Sequence, residues 1–263
     1  MPELPEVETV RRELAPAVAG ATVTAAAVGR AHRRVDAVET LVGRTIGGLE
    51  RRGKWLLGPL DDGRTLVVHL GMTGQLQFGA QEQAAVTLTL DEAQTVSFTD
   101  VRTLGRFTVA TDPAAELPGL RDLGPEPFSE EFTATGLHAA VARSRQMLKA
   151  QLLSQKPVAG LGNIYVDEAL WLSRLHPQQR GVKVGQASRL HEAVRVVLAG
   201  ALAGGGTTLS DYRRADGSPG GFARRLRCYG RAGQLCARCG ATLVKLTVAG
   251  RGTTCCPRCQ PGD

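Results

Sequence analysis

All six cysteines fall between Cys228 and Cys259; the 227 residues before them contain none. A disulfide framework spreads its cysteines through a chain, so this clustering points to one local metal site. Within it, "CARC" and "CPRC" set Cys236, Cys239, Cys256 and Cys259 in the pattern C-x2-C-x16-C-x2-C. A two-residue gap lets one turn aim both thiolates at one ion, and two such knuckles complete a tetrahedral zinc site. Four thiolates leave no open position, so the expected Zn2+ is structural and not catalytic. Cys255 would leave a three-residue gap to Cys259, and it and Cys228 are read as non-ligands. Residues 228–263 therefore read as a zinc finger. Arg251 lies between the knuckles, near an expected hairpin tip. An arginine there faces solvent or, in a nucleic-acid module, grips a phosphate bidentately.

The remainder changes period twice. Val7, Val10, Leu14 and Val18 recur at spacings of three and four, the mark of an amphipathic helix ending near Pro16 or soon after. From Thr22 to about Ala110, short β-branched runs such as "TLVVHL", "VTLTL" and "RFTVA" alternate with turns such as "DDGR". Residues 1–115 are thus expected to form a helix plus an antiparallel β-sandwich or barrel. A proline-rich acidic stretch gives a linker at 116–130. Residues 131–227 return to helical spacing and include the glycine-rich "GGGTTLSDYRRADGSPGG", read as a mobile loop. The fold class is α+β with two domains. A chain of 263 residues is long enough for two cores.

The formal net charge of +7 favours a polyanionic partner without naming one. Glu3, Glu6 and Glu8 stand where a signal peptide would be basic and then apolar. No apolar run reaches the roughly 18 residues of a membrane span. The expectation is an intracellular protein with no membrane partner.

Several motifs occur together: "PELPEVET" at the start, "RRGKWL" at 51–56, "HLGMTG" at 69–74, "GLGNIYVDEAL" at 160–170, "GGTTL" at 205–209, "YGR" at 229–231 and the paired knuckles. With these in order over nearly all its length, the chain resembles the formamidopyrimidine-DNA glycosylase family, and its start is more like the formamidopyrimidine branch than the endonuclease VIII branch. The resemblance implies a helix–two-turns–helix domain between the sandwich and the finger. It implies a monomer in the bacterial cell interior, associated with the nucleoid through DNA. It implies a bifunctional glycosylase and AP lyase of base excision repair, acting on double-stranded DNA with oxidised purines or abasic sites. Two competitors are an endonuclease VIII-type preference for oxidised pyrimidines and a non-catalytic zinc-ribbon DNA-binding protein.

The resemblance also implies roles. Removal of Met1 would leave Pro2 with a secondary amine, whose pKa near the α-amine value of about 7.7–8.0 keeps a useful fraction unprotonated. Its attack on an aldehyde-level carbon gives an iminium that cannot lose its charge at nitrogen, an electron sink for β,δ-elimination. Glu3 would be the general acid for sugar ring opening. On residue chemistry alone, "MPE" is also an ordinary helix start. Lys54 is otherwise a strand lysine with a solvated head; by resemblance it stabilises a phosphate and assists proton transfer, with Arg251 donating in the later elimination. His69, alone a core histidine, would join Lys54, Asn163 and Arg251 in clamping phosphates. Asn163 alone would be an N-cap. Met72 would wedge into the base stack and Arg102 would face the unpaired opposite base. Leu104 falls where the motif often carries phenylalanine, and Ala84 and Ala85 where some relatives carry histidine. Arg143, Arg145 and Lys149 suggest a phosphate track at helical spacing. Arg213, Arg214, Arg224 and Arg225 flank the loop that would cover the flipped base.

Overall fold

The computed structural model describes residues 1–142 and 144–262. The chain divides into two compact units, Met1–Arg121 with Ala201–Ala223, and Asp122–Gly200 with Arg224–Asp263.

The first unit opens with helix α1, Leu4–Val18. Its apolar stripe of Val7, Val10, Leu14 and Val18 is buried in the sandwich core, and each such side chain contributes about 1.5–3 kcal/mol relative to exposure. Eight strands follow: β1 Val23–Val28, β2 Glu50–Arg52, β3 Trp55–Pro59, β4 Thr65–His69, β5 Gln75–Phe78, β6 Val86–Leu90, β7 Thr95–Thr99 and β8 Arg106–Ala110. They form two antiparallel four-stranded sheets, ordered β1-β6-β7-β5 and β2-β3-β4-β8. Leu56, Val68, Leu88, Phe98 and Phe107 alternate inward between them. This is the expected sandwich.

The proline-rich stretch is not wholly irregular. It contains two single-turn helices, α2 Pro113–Glu116 and α3 Pro118–Arg121. Each begins on a proline, whose missing N–H would be unpaired in a first turn anyway. Asp112 caps α2 by accepting from the Ala114 and Ala115 N–H groups at 3.1 Å.

The second unit carries α4 Ala134–Val141, α5 Leu148–Leu153, α6 Asn163–Ser173 and most of α7 Val184–Ala203. "LHAAVARSRQMLKAQLLSQ" is not one helix. Met147 makes an antiparallel bridge with Arg180, and the Leu148 N–H donates to the Gln179 carbonyl at 2.8 Å. These bonds draw the backbone out of helix at Met147, just before α5. The finger's hairpin is β9 Val244–Val248 with β10 Arg251–Cys255. Its two-residue turn has Ala249 at φ +50° and Gly250 at φ +71°, the pair of positive φ values that matches strand twist. Among the described residues no helix is long and apolar enough to cross a membrane.

Candidate active site and nucleic-acid interface

The acidic start resolves into three different environments. Glu8 is structural. It accepts from Arg11, Arg12 and Arg51 at 2.8–3.1 Å. Burial would raise its pKa, but these guanidinium bonds outweigh burial and hold it at about 2. Glu6 is 1% exposed, and its carboxylate accepts from the Glu3 N–H at 2.8 Å and the Thr207 N–H at 2.7 Å. Glu3, also 1% exposed, stands at the N-cap of α1 beside a buried Pro2. The helix N-terminus favours an anionic side chain there.

Glu6 and Glu13 also account for the glycine-rich loop. The Arg214 guanidinium and the Ala215 N–H bind Glu13, and the Tyr212 hydroxyl donates to the Gly205 carbonyl at 3.2 Å. Arg213 donates to the Ser210 and Tyr212 carbonyls. Of the four arginines around this loop, Arg224 and Arg225 are exposed, while Arg214 is ion-paired to α1.

Lys54 follows Gly53 in the two-residue link between β2 and β3; Gly53 takes φ +57°. Lys54 is 4% exposed, unlike a solvated strand lysine. His69 ends β4, its ring 4.5 Å from that of Trp55. Burial, then the cations of Lys54, Arg34 and Arg106, pull its pKa down to about 4. His69 is therefore neutral near pH 7. Its Nδ1 accepts the Gly71 N–H at 3.0 Å, which leaves the proton on Nε2 as a donor. That suits a phosphate ligand that adds no charge.

Met72 is half-buried in the turn after β4. Arg102 is exposed and Leu104 is 40% exposed in the turn before β8. Ala84 and Ala85 are 8% and 2% exposed; the Ala85 N–H donates to the Phe98 carbonyl, and the buried position accounts for a small side chain.

In the second unit, Asn163 is the first residue of α6 and Gly162 is the N-cap. The Asn163 amide instead donates to the Gly252 carbonyl at 3.0 Å, beside the exposed Arg251. Asn163, Tyr229, Lys245 and Thr253 line a cleft of about 370 Å3. Arg145 is exposed, but Lys149 does not join it in a basic stripe. Arg143 lies outside the described residues, and Lys149 is fully buried. The Lys149 ammonium donates to Asp167 at 2.6 Å, Thr253 at 2.7 Å and the Gly252 carbonyl at 3.3 Å. Asp167 in turn accepts the Thr254 N–H. Its neighbour Glu168 accepts the N–H groups of Arg227, Cys228 and Tyr229. Two adjacent acids on α6 thus hold the hairpin and the segment leading into the finger.

The four knuckle cysteines have sulfurs within 4.8 Å of one another, with donor atoms matched to one tetrahedral zinc ion. The Trp171 indole N–H donates to Cys236 Sγ at 3.3 Å, and Arg238 stacks on that indole. Burial opposes ionisation of Cys236, but this bond and nearby backbone N–H groups bring its thiol below the ordinary range. Cys228 is different. Its thiol donates to the Thr254 carbonyl, and burial pushes its pKa up. Burial likewise holds Cys255 at about 11. Neither belongs to the ligand set.

Three family profiles match in sequence: the formamidopyrimidine-DNA glycosylase N-terminal domain over residues 1–107, the H2TH domain of the same enzyme over 123–213, and the zinc finger found in FPG and IleRS over 233–262. The chain belongs to the formamidopyrimidine-DNA glycosylase family. The formamidopyrimidine-DNA glycosylase of Deinococcus radiodurans is 43% identical over 275 residues, covering 99% of this chain and 98% of that protein. The crystal structure of the MutM (Fpg) protein from Thermus thermophilus superposes with a TM-score of 0.92 at 44% identity, covering 100% of both chains. A Lactococcus lactis FPG mutant in complex with a Fapy-dG containing DNA has a TM-score of 0.90 at 35% identity, covering 99% of this chain and 100% of that one. The formamidopyrimidine-DNA glycosylase architecture thus accounts for sandwich, helical domain and zinc finger alike. The finger holds one structural zinc ion.

Sequence reasoning missed Asp100, Asp167 and Glu168, all 3% exposed or less. Aspartate opening a "DVRTLG" turn and paired acids inside a helix were the available signals, but most of their partners lie 18 or more residues away.

Proposed function

We propose that the chain is a bifunctional DNA glycosylase and AP lyase that excises oxidised purines, 8-oxoguanine and formamidopyrimidines, and then cleaves the strand by β,δ-elimination. The observation that carries this reading is the burial of Pro2 and Glu3 side by side at the head of α1, in a chain of this family. With Met1 removed, the Pro2 nitrogen attacks the sugar C1′ and the base leaves. Glu3 protonates the ring oxygen as the sugar opens, and the resulting iminium withdraws electrons for both eliminations. Burial of Lys54 and the neutral Nε2–H donor of His69 support their assignment to phosphate binding and, for Lys54, proton transfer. Arg251, exposed at the hairpin turn, and Asn163 are assigned to phosphate contacts, with Arg251 also donating in the later elimination. Exposed or half-buried Met72, Leu104 and Arg102 suit a wedge and an opposite-base reader, and exposed Arg145 a backbone contact. The zinc ion positions the hairpin and takes no part in bond making. The protein acts as a monomer on duplex DNA in the bacterial cytoplasm, associated with the nucleoid.

The test compares single-turnover excision from duplexes carrying 8-oxoguanine or an oxidised pyrimidine in the same sequence. The purine lesion is released about tenfold faster or more, since a site built around the wrong ring edge leaves polar groups unpaired. Faster release of the pyrimidine would overturn the substrate assignment.

A further inference from the structure

The loops bearing Met72 and Arg102 share one corner of the sandwich. Both cross between the sheets: residues 70–74 lead from β4 to β5, and residues 100–105 lead from β7 to β8. The registers Gln75↔Thr99 and His69↔Arg106 set their four ends side by side. Asp100, 3% exposed, sits between them. Its Oδ1 accepts the Thr73 hydroxyl at 2.5 Å. Its Oδ2 accepts the Gly105 N–H at 2.6 Å and faces His32 Nε2 at 3.1 Å. His32 Nδ1 accepts the Arg34 N–H, so its Nε2 carries the hydrogen and donates. The buried imidazole also meets Phe98 edge-on. Thr73 completes a relay: its Oγ1 donates to Asp100 and accepts the Arg102 N–H at 3.0 Å.

Two further features show that this corner is over-determined. A Cβ on Gly71 would stand 2.5 Å from the Gly105 nitrogen, so the loop backbones touch. Thr103, a β-branched residue, is held at φ +51°, a conformation that persists only where the surroundings enforce it. The three outward side chains, Met72, Arg102 and Leu104, are therefore mounted on one block.

We propose that Asp100, acting through Thr73 and His32, is a positioning residue that locks these two loops together and thereby sets discrimination of the base opposite the lesion. The proposal rests on the assignment of Met72, Arg102 and Leu104 above. Asp100→Asn keeps the shape but offers one acceptor oxygen in place of two, so one loop loses its anchor. Arg102 then samples several orientations, and a reader that is loose by an ångström discriminates poorly.

The experiment measures single-turnover excision of 8-oxoguanine opposite cytosine and opposite adenine, and takes the ratio of the two rates. A partly unfolded preparation lowers both rates equally and leaves the ratio unchanged. Asp100→Asn and Thr73→Val each move the ratio at least about fivefold toward unity, as expected for loss of a charge-assisted bond. Thr73→Ser, which keeps the hydroxyl, stays within about twofold of wild type. Arg102→Ala is the reference. If it changes the ratio while Asp100→Asn and Thr73→Val do not, the positioning role is wrong. If Arg102→Ala itself leaves the ratio unchanged, the assignment of Arg102 fails and the proposal with it.

Discussion

A chain that keeps one residue ahead of Pro2 loses strand cleavage at an abasic site by a factor of about 1,000 or more, because an amide nitrogen has no available lone pair for attack. The loss is chemical and not structural. Met1 is 40% exposed while Pro2 is buried at the head of α1, so an added residue extends outward without displacing the core. Pro2→Gly behaves differently. It supplies a primary amine, which still attacks but forms an imine that loses its charge on deprotonation, so it retains a fraction of the activity. Single-turnover nicking of an abasic duplex by chains of mass-verified N-terminus checks both. Full activity in a chain that retains Met1 would remove Pro2 from the mechanism.

Lys149→Met lowers stability by about 3–5 kcal/mol, since it leaves a buried carboxylate without its ammonium partner. Side-chain exposure is 0% for Lys149 and 1% for Asp167, so solvent screening does not soften the loss. At roughly 2–4 °C per kcal/mol, the second unit melts on the order of ten degrees lower. The double replacement with Asp167→Asn recovers part of this, because Asn still accepts the Thr254 N–H and no charge is left buried. The deficit depends on pH with a definite sign. Burial raises the Asp167 pKa to about 6 even though Lys149 pulls it down; the unfolded value is about 3.9. A folded pKa above the unfolded one gives stability that is fully present below about pH 3.9 and lost as pH rises through the folded value. Without Lys149 that folded value climbs further. The variant is therefore closest to wild type near pH 4–5 and furthest from it near pH 8. Thermal unfolding across this range measures it; a deficit that grew on acidification would refute the ion pair.

What could be read from the sequence follows from the range of each interaction. The zinc ligands were legible because each knuckle is a local spacing, and Cys228 and Cys255 fell outside it as they do in the structure. The apolar stripe of α1 and the alternating strands were legible for the same reason. Lys149 was misread as part of a basic stripe because its partners, Asp167 and Thr253, lie 18 and 104 residues away. The grip of the glycine-rich segment on α1 depends on Glu6 and Glu13, about two hundred positions earlier. Asp100 joins two loops that adjoin only because two sheets exchange strands at one corner. Local patterns reveal elements; buried carboxylates that fasten distant loops become visible only once the topology is known.

Everything in this mechanism depends on a bond between the Pro2 nitrogen and the sugar. Borohydride reduction of the wild-type protein with an 8-oxoguanine duplex, followed by peptide mass mapping, tests it directly. The expected product is a stable protein–DNA adduct carried by the peptide that begins at Pro2. Release of the base with no trapped adduct, or an adduct mapped to Lys54, would contradict it.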